Sequence, residues 1–213
     1  MSDIILSMPF LLQGAVITLQ VTVLSAVFGT IIGTIFGMGR LSKAPFLRIP
    51  SSIYIEFVRG TPLLVQIYII YFGLPSIGID FPPFTAAVVA LSINAGAYTA
   101  EIVRAGIQSI SRGQTEAARS LGMTVWQTMR YIILPQAFRN ILPALGNEFI
   151  ALTKESSLVS VIGIAELTRQ GQYIISRTFK SFEIYGGVAI VYFAITFTLA
   201  QLVNWVEKKV TIK

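Results

Sequence analysis

The chain has 213 residues, of which 54% are hydrophobic and only 12% are charged, and its formal net charge is +6. Soluble domains carry about 25% charged residues, so this chain has too few charges to cover a globular surface, and its composition indicates a membrane protein. Since it contains neither cysteine nor histidine, disulfides, zinc sites built on those residues and cysteine or histidine nucleophiles are excluded. The cations lie in loops between apolar segments, which explains the basic balance without nucleic-acid binding.

About 20 apolar residues in a helix cross a bilayer core, and five segments of the sequence approach this description. The predicted spans are about 10–39, 61–79, 84–109, 131–153 and 184–206. Thr61 is predicted to be the N-cap of the second span, with proline in its first turn. The fourth span is the most polar, so it must face protein or a watery cavity. The sequence therefore predicts an all-α integral membrane protein in which residues 1–213 form one transmembrane domain.

Three glycines recur at every fourth position of the first span, at Gly29, Gly33 and Gly37. Residues with this spacing share one face of a helix, and small residues let another helix approach closely. The alternative is that these glycines are tolerated without any such contact.

The cations are distributed unevenly around the predicted spans. Twelve of the sixteen Lys and Arg residues lie in 40–59, in 104–139 or after residue 206, and the other four lie between the fourth and fifth spans. Cation-rich loops remain in the cytoplasm. We therefore expect five spans with the N-terminus outside and the C-terminus inside.

A short helix is predicted in the long cytoplasmic loop, at about 112–121. Ser111-Arg112-Gly113-Gln114 has the spacing of a capping box, which satisfies free backbone N–H groups at a helix start. Gly122 is placed to end the helix in the left-handed conformation. A second capping box at 124–127 predicts that another helix begins directly afterwards.

One face of this short helix is apolar, because Ala117, Ala118 and Leu121 share it. An apolar face needs a partner. That partner could be another protein or the bundle of the same chain.

Candidate binding residues on the third span are Asn94, Tyr98 and Glu101, whose spacing of four and three residues places them on one helix face. Polar groups inside the membrane are costly and are expected to face a watery interior. Alternatively, Glu101 forms a local ion pair with Arg104, three residues later, and Tyr98 is an aromatic residue of the membrane interface.

Candidate binding residues of the fourth span are Asn147 and Glu148 within it and Glu155, Ser156 and Ser157 at its end. A proline-interrupted helix leaves backbone groups that can join hydroxyls around a zwitterion. Alternatively, Glu148 pairs with an arginine of another span and Glu155 marks the outer interface.

Several ordered motifs resemble those of ABC importer permeases. The cytoplasmic loop resembles their EAA pattern in Glu116-Ala117-Ala118, Gly122 and Ile132-Ile133-Leu134-Pro135. Three further segments resemble the branch of these permeases that takes up polar amino acids. They are Phe57-Val58-Arg59-Gly60-Thr61-Pro62-Leu63-Leu64-Val65-Gln66, Ala97-Tyr98-Thr99-Ala100-Glu101-Ile102 and Lys154-Glu155-Ser156-Ser157-Leu158.

This resemblance implies that the short helix is a coupling helix, docked in a groove of a separate cytoplasmic ATPase subunit. The residues implied in coupling are Glu116, Ala117, Ala118, Leu121 and Gly122. The chain lacks a phosphate-binding loop, so ATP and Mg²⁺ are expected to be used by the partner, with no cofactor, metal or catalytic residue in this chain.

The resemblance also implies the setting in which the chain works. A second permease subunit, either a copy or a paralogue, and an extracytoplasmic amino-acid-binding protein are the other expected partners. The expected location is the bacterial cytoplasmic membrane, which the chain crosses several times.

The glutamates favour a basic substrate such as arginine, lysine or histidine, and a neutral polar amino acid such as glutamine stays open. Two other function classes fit part of the sequence. One is a small proton-coupled secondary transporter that uses Glu101 and Glu148 as relays. The other is a membrane enzyme or assembly factor, although no spacing assembles a nucleophile with a base.

Overall fold

The computed structural model describes residues 2–211, which are helical with short connections and contain no strand. The α-helices are α1 (Ser2–Leu41), α2 (Pro45–Arg59), α3 (Leu63–Tyr68), α4 (Pro83–Gln108), α5 (Arg112–Ser120), α6 (Val125–Thr128), α7 (Leu134–Glu155), α8 (Leu167–Thr178) and α9 (Ser181–Thr211). Two of them are extended by other helical turns: α3 continues through a π turn (Ile69–Gly73) and a 3₁₀ turn (Leu74–Ile77), and α7 follows a π turn (Met129–Ile133) and precedes a 3₁₀ segment (Ser156–Ile162).

The helices α1 and α4 pack closely against each other, and the glycines of α1 allow this close packing. A Cβ atom added at Gly29 would lie 2.9 Å from the Cβ of Ala95, and one added at Gly37 would lie 2.7 Å from the carbonyl oxygen of Ala100. Both distances are shorter than a van der Waals contact. The glycine face of α1 therefore packs directly on small residues of α4.

The helix α4 is the central element of the bundle. In its most apolar stretch 72% of the residues are buried, compared with 17% in α9. The core around it includes Val21 of α1, Ile67 of α3, Leu91 of α4 and Leu152 of α7. The large apolar side chains of α9 are exposed instead, as expected of a peripheral helix that contacts lipid.

Three helices, α1, α4 and α9, are long and apolar enough to cross a membrane on their own. The helices α2 and α3 meet the same test only together, and they are bent by 105° where they meet. The helix α7 is not among these candidates, because it carries charges such as Arg139, Glu148 and Lys154. The described residues thus give three or four spans by length and composition, and the five-span prediction stays a prediction.

The second predicted span, 61–79, differs most from the structure. Continuous helix there runs only from Leu63 to Ile77, and α2, which the sequence placed in a cytoplasmic loop, leads into it. The prediction that Thr61 is an N-cap is wrong, because its hydroxyl donates to the Phe57 carbonyl at 3.0 Å and so serves the end of α2.

The junction between α2 and α3 is held by the buried side chain of Gln66. Its amide nitrogen donates to the carbonyls of Val58 at 2.8 Å and Thr61 at 3.1 Å. Its amide oxygen accepts from Asn94 of α4 at 3.0 Å. Free carbonyls at a helix end need partners, and Gln66 supplies them inside the bundle.

Candidate functional site

A cleft of about 450 Å³ lies between α4 and α7 and collects polar side chains from both helices. The end of α2 contributes one further residue. The cleft is lined by Arg59, Tyr98, Glu101, Ile102, Ala105, Gly106, Ser109, Asn140, Ala144 and Glu148.

On the α4 side, two of the three predicted binding residues line this cleft. Tyr98 and Glu101 both face it, whereas Asn94 does not. The side chain of Asn94 is buried and donates to Gln66. The structure thus brings Tyr98 and Glu101 together at the cleft, while Asn94, one turn earlier on α4, contacts α3.

The carboxylate of Glu101 is engaged by two arginines. Nε of Arg104 lies 3.0 Å from both carboxylate oxygens, and Nη1 of Arg40 lies 3.4 Å from one of them. Arg40 also binds Glu56 at 2.6 Å. The local ion pair considered for Glu101 and Arg104 is thus present, as part of a network that joins α1, α2 and α4.

Glu148 lies on the opposite wall of the cleft, on α7, and is half-buried. Among the described residues it takes part in no salt bridge, and the arginine partner considered for it is represented only by an electrostatic interaction with Arg59 across the cleft. Its neighbour Asn147 is exposed and does not line the cleft, because consecutive residues of a helix point in different directions.

Arg59 is a site residue that the sequence reading did not single out. It lies across from Glu148 at the end of α2, and its guanidinium carbon is 5.4 Å from the centroid of the Tyr98 ring. A usable signal was present: the cation directly precedes Gly60-Thr61-Pro62, and broken helices in membranes form binding sites.

The predicted residues Glu155, Ser156 and Ser157 lie where α7 turns into a 3₁₀ segment, and none of them lines the cleft. Ser156 is fully buried and its hydroxyl donates to the Thr153 carbonyl at 2.7 Å. That bond serves the end of α7 rather than a ligand. Glu155 is half-buried and remains near enough to Glu148 to interact with it electrostatically.

One end of the cleft is closed by a hydrogen bond across its two walls. Nδ2 of Asn140 on α7 donates to Oγ of Ser109, the residue directly after α4, at 2.8 Å. Gly106 allows this closeness, because a Cβ atom there would collide with the Ile141 side chain.

The loop helix α5 ends as predicted at Gly122, whose φ is +82°. The N–H groups of Gly122 and Met123 donate to the carbonyls of Arg119 at 3.0 Å and Ala118 at 3.1 Å, which is a Schellman arrangement. The capping box at Thr124 and Gln127 is confirmed. The one at Ser111 is wrong, because the Ser111 side chain accepts no capping hydrogen bond.

The predicted apolar face of α5 is divided between two directions. Ala118 is buried against the chain itself, whereas Glu116 and Ala117 are exposed. Leu121 is 84% exposed. Val125 and Trp126, which begin the next helix α6, are 70% and 67% exposed. We call Leu121, Val125 and Trp126 the loop patch; the last two were not predicted.

A buried carboxyl, Glu166, was also missed. It begins α8 and accepts hydrogen bonds from the N–H groups of Thr168 at 2.9 Å and Arg169 at 2.7 Å. The hydroxyl of Tyr192 on α9 donates to it at 2.9 Å. Burial raises the pKa of Glu166, and these hydrogen bonds partly oppose the rise. Only its position before an amphipathic helix could have indicated a capping role.

Comparison with known proteins relates this architecture to membrane transport. Residues 29–212 match a family described as the binding-protein-dependent transport system inner membrane component. The chain is 44% identical over 208 residues to the glutamine transport system permease protein of Escherichia coli (strain K12), covering 97% of this chain and 95% of that protein. It is 42% identical to the arginine transport system permease protein of Bacillus subtilis (strain 168), covering 94% of this chain and 92% of that protein.

Solved structures agree with this relationship. The fold matches that of an amino acid ABC transporter with histidines, with a TM-score of 0.92 and 50% identity over 95% of this chain and 94% of the other. An inward-facing methionine ABC transporter matches in fold alone, with a TM-score of 0.81 and 24% identity over 96% of this chain and 97% of the other.

Proposed function

Because the chain belongs to the family of binding-protein-dependent transport system inner membrane components and is a permease subunit of an amino-acid ABC transporter, we propose that it imports polar amino acids, with a basic one preferred. The observation that carries this proposal is the cleft between α4 and α7. It is open, it contains charges of both signs, and it is built on two adjacent helices of the bundle.

The proposed topology has five crossings, with the N-terminus outside and the C-terminus in the cytoplasm of a bacterium. α2 and α3 together form one broken crossing, and α7 is the fourth crossing in chain order, with its Glu148 facing the cleft. The distribution of Lys and Arg supports this orientation. In it, Ser109 and Asn140 lie at the cytoplasmic end of the cleft.

The preference for a basic substrate rests on the uncommitted acids. Glu148 has no salt bridge among the described residues, and Glu155 adds a second carboxylate nearby. Glu101 is already engaged by two arginines, so it is a structural residue rather than a substrate ligand or a proton relay. The proton-coupled alternative loses one of its two relays for the same reason.

Coupling to ATP hydrolysis is assigned to α5 and the loop patch. The glycine-terminated α5 can move as a rigid unit, and Glu116, Ala117, Leu121 and Gly122 are accessible on it. Large apolar side chains exposed outside the membrane usually mark a protein interface. The partner is an ABC ATPase subunit that uses ATP and Mg²⁺; a second permease subunit and an extracytoplasmic amino-acid-binding protein complete the transporter.

Co-purification from native membranes tests the coupling assignment. We expect a P-loop ATPase at stoichiometric amount with the tagged wild type, and its loss in Trp126→Ala. Phe182→Ala is the matched control, because Phe182 is an aromatic residue 91% exposed in the first turn of α9, outside the loop patch. Equal ATPase recovery with both variants would contradict the docking role of the loop patch.

Uptake by reconstituted transporter tests the substrate assignment. Arginine, lysine, histidine and glutamine are compared as competitors, and we expect the basic amino acids to compete best. Glu148→Gln should weaken that preference, whereas the exposed Asn147→Asp should not change it. Stronger competition by glutamine, or an unchanged preference in Glu148→Gln, would contradict the basic specificity.

A further inference from the structure

A second cavity, of about 410 Å³, lies between the N-terminal part of α1 and the helix α8. Phe10 of α1 lines one wall, and Tyr173, Ile174 and Arg177 of α8 line the other. Arg177 follows the other two α8 residues by four and three positions, so all three share one helix face. We call this cavity the outer groove. It has no lining residue in common with the cleft between α4 and α7.

Close packing fixes the position of α8 on two sides. A Cβ atom added at Gly14 of α1 would lie 2.8 Å from Cα of Leu167, and one added at Gly171 of α8 would lie 2.7 Å from a side-chain carbon of Val188 on α9. Both distances are shorter than a van der Waals contact. α8 is therefore held between α1 and α9, and the outer groove is a fixed feature of the bundle.

The proposed topology places the outer groove at the extracytoplasmic edge of the membrane. The first crossing is predicted to begin near Phe10 and the last near Ile184. Phe179 and Phe182, shortly before Ile184, are 87% and 91% exposed. Exposed aromatic rings at the start of a crossing are typical of the membrane–water interface. The groove is thus level with lipid headgroups and the adjoining parts of the acyl chains.

The outer groove is positively charged. Arg177 has no salt bridge among the described residues. Arg169, eight residues earlier, places its guanidinium carbon 5.0 Å from the centroid of the Tyr173 ring, and its buried Nε has no hydrogen-bond partner among the described residues. The acids nearest to Arg177 along the chain, Glu166 and Glu183, do not line the groove. The described lining residues therefore offer a cation beside an apolar wall, with no carboxylate to neutralise it.

We propose that the outer groove binds an anionic phospholipid such as phosphatidylglycerol, with the phosphodiester on Arg177 and one acyl chain against Phe10 and Ile174. A guanidinium matches two phosphate oxygens with parallel hydrogen bonds, and a free phosphate ion would leave the apolar wall uncovered. Gln170, which also lines the groove, can donate to the glycerol headgroup. The ammonium of phosphatidylethanolamine meets no carboxylate among the described lining residues. The assignment to the outer leaflet rests on the proposed topology.

Photo-cross-linking tests this site in the purified permease–ATPase complex, in nanodiscs that contain phosphatidylglycerol and phosphatidylethanolamine in equal parts. One of the two lipids at a time carries a diazirine in an acyl chain, and mass spectrometry identifies the labelled peptides. We expect phosphatidylglycerol to label peptides that contain Phe10 or Ile174 more strongly than phosphatidylethanolamine does. Arg177→Gln should reduce this labelling about fivefold, and Arg177→Lys should retain most of it.

Two further variants separate the contribution of the charge from that of the apolar wall. Arg177→Glu should shift the labelling from phosphatidylglycerol to phosphatidylethanolamine, because a carboxylate attracts the ammonium headgroup and repels an anionic lipid. Phe10→Gln should reduce labelling of Ile174 by both lipids, because it places an amide where the acyl chain lies. Arg48→Gln is the matched control, since Arg48 is an exposed arginine of α2 outside the groove, and it should leave the labelling of these peptides unchanged.

Three results would overturn the assignment. The first is unchanged labelling in Arg177→Gln, or equal labelling of the wild type by the two lipids. The second is displacement of the lipid by glycerophosphoglycerol, the headgroup without acyl chains, because the groove would then be a site for soluble anions. The third is cross-linking of Ile174 to another protein subunit in place of lipid, which would make the groove a protein interface.

The proposed function fails in a different way. Co-purification of the ATPase and competition between amino acids are measured on the same preparations. Loss of either in the wild type would contradict the proposed coupling or substrate preference, whereas loss of lipid labelling alone would contradict only the outer groove.

Discussion

The side-chain amide of Asn94 donates a 3.0 Å hydrogen bond to Gln66, and this bond ties the middle of α4 to the junction between α2 and α3. Gln66 in turn satisfies carbonyls at the end of α2. The bend between α2 and α3 is thus held by the side chains of Gln66 and Asn94 and by backbone carbonyls at the end of α2, and the same bend delivers Arg59 to the cleft.

Replacing Asn94 with leucine should destabilise the bundle. The change leaves the buried amide oxygen of Gln66 without a donor, and an unsatisfied buried polar group costs about 1–3 kcal/mol. We expect the midpoint of thermal unfolding of the detergent-solubilised protein to fall by several degrees. Asn147→Leu is the control at an exposed position of α7. Equal melting of Asn94→Leu and the wild type would show that the junction does not depend on this bond.

The sequence predicted those helices and contacts whose interacting residues are close together in the chain. It did not predict contacts between residues that are far apart in the chain. The helix expected at 84–109 is α4, Pro83–Gln108, because an uncharged run and Pro82-Pro83 mark its start. The Glu101–Arg104 pair was visible from its spacing of three residues. Arg40, which binds the same carboxylate, is 61 residues away in sequence, and no local pattern indicates it.

In the candidate site, too, the sequence did not predict contacts between residues that are far apart in the chain. Tyr98 and Glu101 share a helix face and line the same cleft, whereas Asn94 on that face contacts α3. Arg59 reaches the cleft only because α2 and α3 are bent by 105°. The bend depends on Gln66, whose hydrogen bonds join residues on both sides of the break, so its role required the tertiary structure.

Close packing of α1 on α4 predicts that Gly29 tolerates no larger residue. Its added Cβ atom would lie 2.9 Å from the Cβ of Ala95 and 3.3 Å from the backbone nitrogen of Gly96. Overpacking of this kind costs about 1–3 kcal/mol, so Gly29→Val should lower the melting temperature and the yield of folded protein. Gly186→Val is the control, since nothing lies within 4 Å of a Cβ atom there. Equal losses in both variants would contradict a specific contact between the helices.

The buried carboxyl of Glu166 predicts a pH dependence of stability. Its pKa is raised in the folded state by burial, so the folded protein binds the proton more tightly than the unfolded chain does. The stability from this group is complete below the unfolded pKa of about 4.3 and is lost as the pH rises through the folded pKa. Glu166→Gln cannot ionise, so the difference in stability between the variant and the wild type should move in favour of the variant as the pH rises from 5 to 8, whatever constant cost arises because its amide nitrogen cannot accept a hydrogen bond. Melting curves across this range test it, and a constant difference between the two proteins would contradict the predicted linkage.

Gly122 provides the sharpest test of the proposed role of α5 and the loop patch in coupling. Its φ of +82° is strained for a residue with a side chain by about 1–2 kcal/mol, and more for a β-branched one. Gly122→Val should therefore displace the loop patch, reducing uptake at least tenfold while the protein still reaches the membrane.

Gly113→Val in the same loop is the matched control, because its Cβ atom would meet nothing within 4 Å and its φ is not positive. Immunoblots of membranes measure the amount of permease, and uptake in vesicles measures transport. Normal uptake by Gly122→Val at normal abundance would show that transmission of motion to the ATPase does not require this helix end, whereas loss of both variants from the membrane would assign the loop a role in folding instead.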